Sequence, residues 1–150
     1  MANLILSLRR IAVAVVGFAA IAAPVAVAAQ DLPYSPVVEA NGVLYLAGHV
    51  GLNPEENKLS GNIETETQQA LNNIYLTLSG AGSNLSEIVR CQVFLSDIDD
   101  YGKMNKAYAE FFPENPPART TVAVAALPMG AKIEIECTAV RKNGFSQEAL

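Results

Sequence analysis

Arg119 and Glu134 are the side chains whose types and spacing invite chemistry. Arg119 sits in Pro117-Ala118-Arg119-Thr120-Thr121, and fifteen residues later Glu134 sits in Lys132-Ile133-Glu134-Ile135-Glu136. The pair amounts to one fixed cation and one carboxylate on two segments joined by a short turn. An arginine held on a rigid element presents a planar fork that binds a planar anion, such as a carboxylate, through two parallel hydrogen bonds. On residue type alone each has a plainer reading beside this one. Arg119 suits an ordinary ion pair, and Glu134, like Glu136, suits a solvated strand face.

Both segments read as β-strands. Residues 120–125 are β-branched or small, and residues 133–140 alternate apolar with polar. Leu127-Pro128-Met129-Gly130 between them reads as a turn, because proline fixes φ and glycine tolerates positive φ. Alternation puts Arg119, Thr121, Ala123 and Ala125 on one face of the first strand. Glu134, Glu136 and Thr138 share a face of the second, with Ile133, Ile135 and Cys137 on the other. Joined as a hairpin about residues 128–130, the strands would set Arg119 opposite Thr138 or Ala139, leaving Glu134 about 15 Å along the strand. A site using both side chains then needs two chains.

The elements that must position them follow from the rest of the pattern. Asn41-Gly42, between apolar runs at 37–39 and 43–47, is a hairpin signal. A polar loop spans residues 53–62. Ile63, Thr67, Ala70, Leu71, Ile74 and Leu78 then recur at helical spacing as far as Gly80-Ala81-Gly82. Residues 88–95 read as a strand. Asp97, Asp99 and Asp100 offer N-caps for a second helix with the stripe Tyr101, Met104, Tyr108, Phe111 and Phe112. Pro113, Pro116 and Pro117 prevent its continuation. Asn105 falls on that stripe, where a buried amide needs partners, and a structural cap or a substrate contact would satisfy it equally. Hairpin, helix, strand, helix, hairpin describes an α+β domain with both helices on one face of a mixed β-sheet.

In this order the segments resemble the RidA/YjgF family of reactive-intermediate deaminases. The resemblance covers residues 32–141. It rests on Leu32-Pro33-Tyr34-Ser35-Pro36, Leu46-Ala47-Gly48-His49, the strand from Val89 through Cys91 to Leu95, Met104-Asn105 with Tyr108 and Phe112, and Pro117-Ala118-Arg119 with Ile133-Glu134-Ile135. It implies a chorismate-mutase-like, RidA-type fold assembled as a homotrimer with inter-subunit clefts. It also implies a hydrolase that converts 2-imino acids to 2-oxo acids and ammonia with no metal or organic cofactor. By resemblance Arg119 binds the substrate carboxylate with help from the Gly48 amide, and Glu134 positions the attacking water, a fitting general acid/base role. Thr121 shapes the pocket, while Tyr34 and Asn105 close it. Tyr34 and Gly48 also have plain packing readings.

Thr121 and Ala47 stand where many members of that family carry cysteine and serine. Imine hydrolysis requires activated water rather than a covalent intermediate, so the missing thiol is no obstacle. His49 is expected to line the cleft rim, with rim packing as its plain reading and a group titrating near neutral pH as the alternative. The rival to the enzyme is a non-catalytic small-carboxylate-binding protein or holdase using the same clefts. An endoribonuclease, an activity attributed to some relatives, fits badly with an acidic domain that lacks a histidine pair.

Residues 1–29 read as a signal peptide rather than as part of the fold. Arg9-Arg10 precedes an apolar stretch at 11–23, and Ala26-Val27-Ala28 supplies small residues for cleavage. The expected location is therefore periplasmic or secreted, with membrane contact only through that segment. The domain is expected at residues 30–150, with 143–150 a loose tail. The 150-residue chain carries a formal charge of −5, and loss of the two arginines makes the domain more acidic still. That argues against nucleic-acid partners, which need clustered Lys and Arg. One histidine and no Cys-x-x-Cys give no support for a metal site. In the fold that the resemblance implies, the strands of Cys91 and Cys137 flank a third strand, about 9.5 Å apart, beyond disulfide reach. Buried free thiols are the expectation.

Overall fold

Asn41 and Gly42 take positive φ, 51° and 75°, the pairing that a tight two-residue hairpin requires. They join β1 (Val37–Ala40) to β2 (Val43–Leu46) in antiparallel register. The computed structural model describes residues 32–142. The segment read as a signal peptide and the tail at 143–150 lie outside the described residues. After β2 come β3 (His49–Val50) and a small hairpin of β4 (Leu52–Asn53) with β5 (Lys58–Leu59), set in what reads from sequence as a plain polar loop. Helix α1 (Ile63–Gly80), β6 (Ile88–Leu95), α2 (Tyr101–Phe111), β7 (Ala118–Ala123) and β8 (Ile133–Val140) complete the domain.

Helix α1 starts where Asn62 and Thr65 bond each other reciprocally. The Asn62 side chain accepts from the Thr65 amide at 2.9 Å, and Thr65 Oγ1 accepts from the Asn62 amide at 3.2 Å. Its Ile63, Thr67, Ala70, Leu71, Ile74 and Leu78 are buried, each large apolar side chain contributing roughly 1.5–3 kcal/mol. They meet Leu44, Cys91, Val93, Ile133, Ile135 and Ala139 from the sheet, with Met104 and Tyr108 of α2 in the same core. Both helices cover one face of a mixed sheet, as the element order implies.

The sheet order is β1-β2-β8-β6-β7, with β3 also paired to β8. This corrects the expectation that β7 and β8 form a hairpin. β7 runs parallel to β6 and is separated from β8 by that strand. The physical reason is the helix between β6 and β7, since a strand–helix–strand connection returns the second strand parallel to the first. Ala123 and Ile133 both lie level with Leu95, so the loop at 124–132 steps across the end of β6. The turn at Pro128–Gly130 is real, with Met129 and Gly130 at positive φ, but it does not pair the strands it joins.

The same order overturns the expectation of free thiols. β6 and β8 are direct neighbours with Cys91 opposite Cys137, their Cα atoms 4.1 Å apart, and the two form a disulfide buried under the helices. Closing the intervening loop of 46 residues restricts the unfolded chain by about 4 kcal/mol.

Candidate functional site

Register decides which face each side chain takes. Arg119 lies level with the buried Cys91, so it points toward the helices. Glu134 lies level with Phe94, one residue out of phase with the buried Val93 and Leu95, so it points to the opposite face. Two strand spacings and three residues separate their backbones by about 14 Å. Within one chain the two cannot meet. The sequence reached that conclusion through the wrong pairing, and the true topology makes it stronger.

The helix-side half is built by α2 and β7. Tyr101, Asn105 and Tyr108 recur at i, i+4 and i+7 on α2 and therefore line one stripe facing Arg119. An Arg119 N–H donates to the Asn105 carbonyl oxygen, and another reaches Met104 Sδ at 3.8 Å. The guanidinium carbon sits 4.5 Å from the Tyr108 ring centre and 5.8 Å from that of Tyr101, so π-faces hold the cation. All of these neighbours are neutral, and among the described residues no carboxylate pairs with Arg119. Around it opens a cleft of about 490 Å³ lined by the three α2 residues, Phe112, Pro117 and Thr121. The hydroxyls of Tyr108 and Thr121 are buried with no hydrogen-bond partner among the described residues. Burial pushes the Tyr108 phenol up to about 12, so it stays protonated.

The open-face half is built by β8 and the bulge between β2 and β3. Tyr45 pairs with Thr138 and His49 with Ile135, so residues 46–48 oppose only 136 and 137, one extra residue on the strand that faces β8. Gly48 occupies that bulge. A Cβ there would fall 1.9 Å from Glu134 Oε1, so only glycine lets the backbone lie against the carboxylate. Burial first, and then the neighbouring Glu136 charge, holds the Glu134 carboxyl above the usual glutamate range. Tyr34, 54% exposed, belongs to the chain's approach to this bulge. Two residues on, the Pro36 carbonyl accepts from the Ala47 amide at 2.9 Å.

The predicted residues thus fall into two groups: Arg119, Asn105 and Thr121 on the helix side, and Gly48, Glu134 and Tyr34 on the other. His49 leaves the rim assigned to it. Its Nδ1 lies 2.7 Å from the Ala47 carbonyl and its Nε2 2.9 Å from Thr77 Oγ1 of α1. The fit is a neutral ring that donates from Nδ1 and accepts from the threonine. Burial holds its pKa below the ordinary value, opposed by the Ala47 bond. The ring pins the bulge to the helix. Sequence reasoning placed Tyr101 and Tyr108 in the core stripe and missed them as cleft residues. The signal was their hydroxyls flanking an amide, Asn105, at helical spacing.

A sequence profile for the family described as Endoribonuclease L-PSP matches residues 22–141. The chain is 44% identical over 108 residues to Reactive Intermediate Deaminase A, chloroplastic, of Arabidopsis thaliana, a match covering 71% of this chain but 58% of that protein, less than two thirds of its length. It is 39% identical over 110 residues to the 2-iminobutanoate/2-iminopropanoate deaminase of Homo sapiens, covering 73% of this chain and 80% of that one. The crystal structure of the YjgF gene product from E. coli superposes with a TM-score of 0.72 at 32% identity, over 75% of this chain and 92% of that one. These relatives overturn the expected periplasmic or secreted location. One is named as chloroplastic and another, from fission yeast, as mitochondrial, and the family profile begins inside the segment read as an export signal.

Proposed function

Because the chain belongs to the RidA/YjgF family, we propose that it hydrolyses 2-imino acids to 2-oxo acids and ammonia in clefts shared between copies of itself. The observation that carries this reading is the Arg119 cage, a half-buried cation whose every described neighbour is neutral. Such a charge is completed by an anionic ligand, and a guanidinium fork selects a carboxylate. In the reaction Arg119 and the Gly48 amide bind the substrate carboxylate, and Glu134 accepts a proton from water as the water oxygen bonds to the imine carbon. Glu134 passes that proton to the imine nitrogen to give the carbinolamine, then takes the carbinolamine hydroxyl proton and delivers it to the same nitrogen, so that the C–N bond breaks and the 2-oxo acid and ammonia leave. Thr121 and Asn105 shape the helix-side wall, and Tyr34 closes the cleft from the neighbouring copy. No thiol nucleophile is required.

A homotrimer supplies the second half of each cleft. The open sheet face carries Val38, Tyr45 and Val122, between 42% and 52% exposed, and no described element covers it. Pairing these faces around an axis buries them and brings Glu134 of one copy toward Arg119 of the next. An endoribonuclease reading, raised by the family description, lacks its chemistry here: the single histidine is held between Ala47 and Thr77. The test is ammonia release from 2-iminobutanoate generated in situ, comparing wild type with Arg119→Ala. Acceleration by wild type alone is expected. If neither accelerates release but only wild type binds 2-oxobutanoate, the chain is a carboxylate-binding protein instead.

A further inference from the structure

Tyr101 stands apart from the other members of the Arg119 cage. Met104 and Tyr108 are buried, whereas Tyr101 is 42% exposed at the mouth of the cleft. It opens α2, one turn before Asn105 and two before Tyr108, and its ring centre is 5.8 Å from the guanidinium carbon. Asn105 accepts from Arg119 through its carbonyl oxygen, which leaves its amide N–H groups free to donate, and Tyr101 lines the same cleft one turn away. A phenol oxygen that meets N–H donors from Asn105 and Arg119 acts as their acceptor, and its own O–H is left to donate into the cleft.

Resting on the reading of Arg119 as the carboxylate anchor, we propose that Tyr101 is a second carboxylate-binding residue, donating its phenolic hydrogen to the ligand that Arg119 holds, and that as a phenolate it expels that ligand. The two roles are one property seen at two pH values. Neutral Tyr101 supplies a donor beside the cation. Ionised Tyr101 is an anion beside the same cation, competing with any carboxylate. The Asn105 amide and then the Arg119 charge hold its pKa below the ordinary tyrosine value, so the change begins earlier than for a free phenol.

The other groups facing this corner are separable from Tyr101. Tyr108, the other tyrosine on the stripe, is pushed up to about 12. Asp100 and Lys103, at the start of α2, pair with each other at 3.6 Å. In the proposed assembly Glu134 and Tyr34 reach this cleft from the neighbouring copy, and a limb that came from either would persist in Tyr101→Phe.

The experiment measures the Kd of 2-oxobutanoate from pH 6 to 11 for wild type, Tyr101→Phe and Arg119→Ala. Phenylalanine keeps the ring over the guanidinium and removes only the hydroxyl. At neutral pH the Phe variant should bind about threefold to tenfold more weakly, the size of one hydrogen bond to a charged group. Wild-type affinity should fall as pH rises through the tyrosine range, and the Phe variant should hold its affinity flat there. Equal Kd values and the same alkaline limb in both proteins would overturn the role of Tyr101. If Arg119→Ala still abolished binding in that case, the anchor would survive and only this inference would fall. Unchanged binding in Arg119→Ala would remove both.

Discussion

The two halves of the proposed cleft differ in how much of each one chain completes. The Arg119 half is held from every side by its own chain: an amide, a thioether and two aromatic rings fix the guanidinium. The Glu134 half is a carboxylate laid against a glycine backbone on a sheet face that no described element covers. One half is therefore preformed as soon as the monomer folds. In the proposed assembly the other is completed when a second copy dries and encloses it. A binding element can be preformed and rigid, whereas a proton-handling element benefits from an environment that closes around the reacting water.

Breaking the open-face half should cost most. Glu134→Gln removes the proton acceptor but keeps shape, so kcat should fall by about 10²- to 10⁴-fold while the Kd of 2-oxobutanoate changes little. Steady-state ammonia release and titration of the oxo acid read the two effects separately. The held-up carboxyl gives this prediction a pH signature. Glu134 must be ionised to accept a proton, so kcat/KM should rise with pH through a limb above the ordinary glutamate range of about 4.3, and Glu134→Gln should lose it.

Breaking the helix-side half should cost slightly less and fall on binding. Arg119→Ala removes a charge-assisted, bidentate contact of about 2–5 kcal/mol, seen as a 30- to several-thousand-fold loss in kcat/KM. Arg119→Lys keeps the charge without the fork and should lie between. Folding should survive both, because thermal melts depend on the core rather than on a ligand-facing cation. Gly48→Ala sharpens the contrast from the other side. A methyl group 1.9 Å from Glu134 Oε1 must push the carboxylate aside, and a shift near 1 Å should cost about a hundredfold in kcat with the Arg119 half untouched.

The smallest effect on activity belongs to the disulfide. Cys91 lies level with Arg119 but beneath the helices. Cys137→Ala with Cys91→Ser should lower unfolding free energy by about 4 kcal/mol in chemical denaturation. At temperatures where the fold persists, kcat should stay within a few fold.

Much of this fold is legible in the residues. The termini of β6 and β8, the Asn41-Gly42 hairpin and the burial of α1 all follow from local periodicity and turn chemistry. Local signals fail where a long-range pairing decides the outcome. Pro128 and Gly130 encode a turn, but not that the chain steps over the end of β6 before pairing. Cys91 and Cys137 reveal their buried faces, but only the register between strands 46 residues apart sets them opposite each other. His49 read as a cleft-rim residue because its partner, Thr77, lies 28 residues away on a helix. Of the site, the residue types of both halves were legible in the motifs Pro117-Ala118-Arg119 and Ile133-Glu134-Ile135. Their separation onto opposite faces was masked by the assumed hairpin, and Tyr101 was hidden in an apolar stripe that it serves only in part.

The claim that one cleft is assembled from two chains is tested most directly by complementation. Arg119→Ala and Glu134→Gln chains, each nearly inactive alone, are co-expressed with different tags and purified through both. In a cyclic trimer containing both variants, one cleft in three joins an intact Arg119 to an intact Glu134, whichever variant is in the majority. Mixed assemblies should therefore recover roughly one third of wild-type deaminase activity per trimer. Mixed assemblies no more active than either parent would contradict the shared site.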